Sequence, residues 1–168
     1  MQGNAAPSRR RVLYAEGMSE LHVEELSAAT IVAANSLSLK PGQEEFIAPT
    51  TYAVEMGVAD PQKTWQRVVI DAEGGVVAFI RAYFDPEAPS DYLRAALWRI
   101  NVDAEAQGRG AGRFAVEAVL DEARRRGSDR LTVVYEAGEL GPEAFFRRVG
   151  FTPVGESEYG EVVAEILL

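Results

Sequence analysis

Gln107-Gly108-Arg109-Gly110-Ala111-Gly112 decides how this chain of 168 residues is read. It follows the apolar run Leu97-Trp98-Arg99-Ile100-Asn101-Val102, which reads as a strand, and it opens a helix-like run over 113–126. Three glycines thus alternate with other residues where a strand turns into a helix. Glycine reaches backbone conformations that a β-carbon forbids, and it lets a ligand come close to the main chain. The first turn of a helix leaves N–H groups without intrahelical partners. Those donors and the helix dipole favour an anion, phosphate first among them.

Two familiar phosphate loops do not fit. Arg113-Phe114 stands where the P-loop needs Lys-Ser or Lys-Thr. Arg113 also stands where the dinucleotide fingerprint needs its third glycine, and Asp129, near the spacing of that fingerprint's acidic residue, precedes its strand. The pattern that fits is R/Q-x-x-G-x-G/A, with Gln107, Gly110 and Gly112 in the defined places. It resembles the acetyl-coenzyme A pyrophosphate loop of the GNAT N-acetyltransferases. A second run, Phe145-Phe146-Arg147-Arg148-Val149-Gly150-Phe151, resembles that family's A-x-x-F-Y-x-x-x-G-F segment, with Phe146 where the tyrosine would be. Phe46-Ile47-Ala48-Pro49, Leu97-Trp98-Arg99 and Gly160-Glu161-Val162-Val163 look like the bacterial polyamine (spermine/spermidine) branch.

The resemblance extends over about residues 20–168 and implies an α/β fold, the GNAT fold, with a central mixed, mostly antiparallel sheet flanked by helices. It implies acetyl-CoA as co-substrate, its pyrophosphate on the main-chain N–H groups of Gln107, Gly108, Arg109, Gly110, Ala111 and Gly112. Arg109 and Arg113 would add charge-assisted contacts. Ile100 and Val102 match the strand positions that pair with the pantetheine arm, and Phe145 would pack along that arm or in the core. The plain alternative for the loop is a tight strand-to-helix turn without a ligand.

The implied reaction is direct attack of a neutral primary amine on the thioester carbon. Alkylamines are protonated at neutral pH, so a base or a water chain takes a proton first. Glu44, Glu45, Glu136 and Glu139 lie in segments that would border the acceptor cleft; each is also readable as an ordinary surface acid. Phe146 cannot protonate the departing thiolate, which leaves Tyr135, Tyr159 or water. Polyamines are the first acceptor class, with aminoglycosides, amino acids and protein N-termini open. A CoA-binding module or an acyl-CoA sensor with weak or no catalysis is the alternative from another class.

Composition bounds the rest. A chain of this length suits one domain, and 47% apolar residues suffice for a core. Residues 1–17 read as a polar extension expected to be disordered, with Met18 a natural second start and the domain running over 18–168. No apolar run reaches transmembrane length, and Arg9-Arg10-Arg11 is followed by none long enough for a signal peptide. The absence of cysteine removes disulfides and thiolate chemistry and suits a cytoplasmic location. A net charge of −9 argues against a nucleic-acid partner and mildly favours cationic ones. No metal site is expected. The resemblance makes a homodimer an expectation, although no stretch marks an interface.

Periodicity predicts a strand over 21–26 and a helix over 28–37 capped by Ser27. A second helix is predicted over 51–58, after Pro49-Thr50. Strands over 65–71 and 76–84 are joined by Glu73-Gly74-Gly75. A long strand is predicted over 92–103, then a helix with Phe114, Ala115, Ala118, Val119 and Ala123 on its inner stripe. That helix would carry Asp121–Arg125 and Glu122–Arg126 pairs and end at Gly127. A strand over 130–136, a short helix from Pro142 to Val149, and strands over 151–154 and 161–168 follow. The lone histidine, His22, reads as a surface strand residue. Trp65 and Trp98 read as core or cleft-wall residues, and Arg99 as a strand residue paired with a nearby acid or available to an acidic acceptor.

Overall fold

β-Branched and aromatic runs become the strands of one sheet in the computed structural model, which describes residues 20–46 and 60–168. The strands are β1 His22–Glu25, β2 Thr64–Ile70, β3 Val76–Phe84, β4 Ala95–Val102, β5 Arg130–Tyr135, β6 Thr152–Glu156 and β7 Val162–Leu167. The seven lie in the order β1-β2-β3-β4-β5-β7-β6. Every neighbouring pair is antiparallel except β4–β5, which is parallel. The sheet is therefore mixed and mostly antiparallel. The expectations for residues 1–17, for Met18 and for a helix over 51–58 fall outside the described residues, as does Ile47-Ala48-Pro49.

Strand alternation gives the sheet two apolar faces. Val68, Ile70 and Phe79 pack with Ala34 of the short helix α1, Ile31–Asn35. Val69, Ala78, Ile80, Leu97, Leu131 and Val133 face the other way. Over them lies α2, Ala111–Arg125, which buries Phe114, Ala115, Val116, Val119 and Ala123, with Ala118 half-buried beside them. The helix α3, Glu143–Val149, adds Phe146 to the same core.

Three expected elements differ, each for a local reason. The first helix is shorter than 28–37: Ser27 Oγ accepts the Ala29 N–H, and Thr30 Oγ1 accepts the Ser27 N–H. These side-chain bonds hold a turn that competes with the helix, and Thr30 becomes the N-cap. The strand expected from residue 92 begins at Ala95, because Asp91–Leu93 forms a 3-10 turn closed by Leu93 N–H to Ser90 C=O and Arg94 N–H to Asp91 C=O. On α2, Asp121 pairs with Arg124, while Glu122 takes both Arg125 and Arg126.

Both helices around the cleft end on a left-handed glycine. Gly127 (φ 76°) donates to Arg124 C=O while Ser128 donates to Ala123 C=O. Gly150 (φ 111°) donates to Arg147 C=O while Phe151 donates to Phe146 C=O. This is the Schellman arrangement, whose apolar clasp joins the residue after the glycine to the last inward helix residue. Here Phe151 meets Phe146 edge-on at 5.5 Å, which explains why glycine and phenylalanine stand together at 150–151. No helix among the described residues is long and apolar enough to cross a membrane.

Candidate active site

The site begins with a fault in the β3–β4 ladder. Arg81 pairs with Arg99 and Ala82 with Leu97, so Trp98 is an extra residue opposite none: a β-bulge. Trp98 is turned outward, 47% exposed, and its ring stacks on Tyr83 at 4.9 Å with the Arg81 guanidinium 4.9 Å from its centroid. Trp65, by contrast, is core. The β4–β5 ladder holds only Ala96–Thr132 and Leu97–Val133, although β4 runs on to Val102. Past the bulge the two strands part.

Register decides what lines the gap. Asp103 N–H donates to Val77 C=O, with Ala78 opposite Val102 and Ile80 opposite Ile100. In an antiparallel ladder this makes both pairs non-hydrogen-bonded. The N–H and C=O of Ile100 and Val102 therefore point away from β3, into the gap.

At the end of the gap sits the loop. Its three glycines serve three purposes. Gly108 (φ 76°) has open space where a β-carbon would lie. Gly110 (φ 98°) is the left-handed N-cap of α2. Gly112 is helical, and a β-carbon there would meet Phe145 Cε2 at 2.9 Å. Gap and loop together form a cleft of about 540 Å³. Of the residues expected from sequence to bind a cofactor, Ile100, Val102, Gln107, Gly108, Gly110, Gly112, Arg113 and Phe145 line it. Arg109 is exposed at the loop tip and Ala111 is fully buried; neither is on the wall.

The structure adds wall residues that the sequence reading did not assign to the cofactor site: Gln43 and Phe46 from one segment, Leu140 and Gly141 from another, and Arg148 and Val149 on α3. Ser38 anchors the first segment, donating its N–H (2.9 Å) and hydroxyl (2.8 Å) to Asp103 Oδ1. Gln43 then pairs with Gln107. Phe46 lies where a β-carbon on Gly138 would be 2.9 Å from its Cζ and one on Gly141 3.3 Å from its Cε1. The segment thus straps the β4 side of the cleft to the loop after β5. Glu44 and Glu45 on the strap, and Glu136 and Glu139 on that loop, are all exposed.

Among the described residues, the charged side chains on the wall are Arg113 and Arg148, both cationic on a chain of net charge −9. Arg113 Nη2 donates to the Arg148 C=O at 3.2 Å, holding its guanidinium at the mouth. Phe146 is 4% exposed and clasped between Tyr135 (5.3 Å, stacked) and Phe151. Tyr135 is not on the cleft wall, and its buried hydroxyl has no hydrogen-bond partner among the described residues. Burial, and secondarily the Glu143 carboxylate, push its phenol above the ordinary value. Tyr159 stands in the exposed turn before β7, 82% exposed and off the cleft wall. His22 bonds Glu24 on the exposed edge strand. No group of three or more His, Cys, Asp or Glu among the described residues is placed to hold a metal.

Residues 34–151 match the model of the acetyltransferase (GNAT) family. The chain is 32% identical over 102 residues to a mycothiol acetyltransferase of Beutenbergia cavernae, a match covering 60% of this chain and 32% of that protein. It is 27% identical over 85 residues to an L-2,4-diaminobutyric acid acetyltransferase of Wolinella succinogenes, covering 49% of this chain and 47% of the other. The chain thus spans about a third to a half of these relatives. In architecture it is similar to the GNAT domain of S. lividans PAT, with a TM-score of 0.72 and 17% identity over 95% of this chain and 96% of that one.

Proposed function

Because the chain belongs to the GNAT acetyltransferase family, we propose that it moves the acetyl group of acetyl-CoA to a primary amine of a small molecule. One observation carries this reading. The gap beside Ile100 and Val102 exposes strand-edge main chain and runs into the N-terminus of α2, with two cationic side chains on the wall. An extended amide-bearing arm ending in a diphosphate is the ligand such a slot suits. The arm would add to the free edge of β4, as extended peptides add to sheet edges. The phosphates would meet the loop N–H groups, the helix dipole, Arg113 and Arg148.

In the reaction, the amine nitrogen forms a bond to the thioester carbon, the C–S bond breaks, the CoA thiolate leaves, and the proton that the nitrogen sheds on becoming an amide goes to that thiolate or to solvent. A free alkylamine is protonated at neutral pH, so its proton goes first to a base or to solvent. A main-chain N–H facing the gap stabilises the oxyanion between the two steps; a preorganised donor of this kind contributes about 3–4 kcal/mol. Glu44, Glu45, Glu136 and Glu139 stand on the two touching segments at the strap end of the cleft, and Glu136 is the first candidate base.

That acidic rim and the net charge support a cationic acceptor. Polyamines remain the first class to test. Small diamino acids join them, since one relative is named for diaminobutyric acid. A cytoplasmic site of action and a homodimer complete the reading, the latter tested by light scattering.

A second reading, a CoA-binding module with little catalysis, is favoured by one feature: Phe146 cannot donate a proton, and Tyr135, stacked on it, is off the cleft wall. One experiment separates the two. Acetyl-CoA is incubated with a panel of amines and free thiol is followed, beside calorimetric titration with CoA. Thiol release that depends on an amine supports the transferase. Heat on binding with no release from any amine supports the module, and no heat removes both.

A further inference from the structure

Gln107 opens the cofactor loop, yet its amide is committed elsewhere. Its Nε2 donates to the Val102 C=O at 3.0 Å and to Gln43 Oε1 at 2.8 Å, while its Oε1 accepts from Gln43 Nε2 at 2.9 Å. Gln43 comes from a segment 64 residues earlier. Its Oε1 also accepts the Lys40 N–H at 3.0 Å. The two main-chain partners settle which way each amide faces. Val102 C=O needs the amino side of Gln107, and Lys40 N–H needs the oxygen side of Gln43. Both residues are half-buried, so removing one amide leaves polar atoms of the other short of partners.

The pairing reaches the strand edge. Ile100 and Val102 turn their main-chain groups into the gap. Gln107 already takes the Val102 C=O. That bond takes one of the two lone pairs on the Val102 C=O and sets the amide where a ligand strand would meet it, beside the Ile100 N–H and C=O and the Val102 N–H, which also face the gap. The position of the Gln107 amide therefore selects the register in which a ligand can add to β4.

We propose that Gln43 is a positioning residue for the cofactor cleft: it holds the Gln107 amide on the Val102 carbonyl and so fixes the register in which the arm of an acyl-CoA pairs with β4. The inference rests on the acetyl-CoA reading above. Gln43 touches no reacting atom; it acts through Gln107. The loop pattern admits arginine where Gln107 stands. A guanidinium is a donor only, so it would bond Val102 C=O and call for an acceptor at position 43.

The test uses Q43A, Q43E, Q107R and the double variant Q43E/Q107R in the full chain. Each is titrated with CoA by calorimetry, assayed with acetyl-CoA and an accepted amine, and melted without ligand. Q43A is expected to weaken CoA about three- to tenfold and to raise KM for acetyl-CoA by more than it lowers kcat. Q43E keeps the side-chain shape but loses the donor to Gln107 Oε1, and it should weaken CoA similarly. The double variant restores a complementary pair and should return most of the affinity. Losses that simply add in the double variant overturn the proposal, as does a Q43A protein whose CoA affinity stays within about twofold of wild type. A wild-type chain that gives no heat with CoA overturns the acetyl-CoA reading itself, a result distinct from either.

Discussion

Gly112 and Phe145 are fitted to each other: a β-carbon on Gly112 would stand 2.9 Å from Phe145 Cε2 and 3.1 Å from its Cζ. The third glycine of the loop is thus a packing residue where α2 meets α3, and its backbone is ordinary helix. Phe145 also lines the cleft, so a ring displaced by a new methyl group narrows the space for a ligand. Gly112→Ala is expected to cost about 1–3 kcal/mol in urea unfolding and to weaken CoA in the same protein. Adding Phe145→Leu should recover part of the stability. A Gly112→Ala protein as stable as wild type would show that the ring has room to move.

Gly110 and Gly108 share a left-handed backbone but not a role. Gly110 caps α2 at φ 98°, at the point where an anion would sit. Alanine there costs about 1–2 kcal/mol for the backbone alone, and aspartate adds a negative charge at the helix N-terminus that the ligand needs. Gly108, at φ 76°, has nothing within 4 Å of a β-carbon, and asparagine tolerates that conformation. Calorimetry should find CoA binding abolished by Gly110→Asp and kept by Gly108→Asn. Equal behaviour of the two variants would place the ligand elsewhere.

Phe146 stands between core and cleft. It lines the cleft yet is 4% exposed, packed on Tyr135 and Phe151. A hydroxyl added there either finds the cleft or is buried without a partner, at a cost of about 1–3 kcal/mol. If the transferase lacks an acid for the departing thiolate, Phe146→Tyr should raise kcat by about tenfold or more, a part of the roughly 10²–10⁴-fold that general acid catalysis contributes. KM for acetyl-CoA should move much less. A lower thermal midpoint with unchanged kcat would mean that the hydroxyl turns inward and that protonation of the thiolate does not limit turnover.

The fold was legible because its signals are local. Apolar runs bounded by turn residues marked β2, β3 and β5, and the three-and-four spacing from Phe114 to Ala123 marked the face of α2. The loop was legible because strand, glycines and helix are contiguous. What could not be read is non-local or sub-residue in register. Gln43 bonds Gln107 across 64 residues, and no pattern around either residue announces it. Phe46 meets Gly138 and Gly141 through a gap that appears only once β4 and β5 part. The bulge at Trp98, which parts them, sits in a run that reads as unbroken strand. The overlong first helix failed at Ser27 and Thr30, where side-chain bonds to the main chain outcompeted propensity.

The near end of the strap depends on a charge. Asp103 Oδ1 accepts the N–H and the hydroxyl of Ser38, and Oδ2 accepts the Glu105 N–H at 3.3 Å. Burial pushes the Asp103 carboxyl up, but these bonds outweigh it and hold the group below the usual aspartate value. A carboxyl lowered in the folded state is protonated more readily in the unfolded chain. Its contribution is therefore complete above the unfolded value of about pH 4, and it is lost as pH falls through the lower folded value. Asp103→Ala should cost about 1 kcal/mol at pH 7. The gap between variant and wild type should hold steady down to about pH 5 and shrink below about pH 4. Urea unfolding of both proteins at neutral and acid pH measures it. A gap that stayed constant to pH 3, or widened on acidification, would mean that the bonds to Ser38 do not favour the ionised carboxylate.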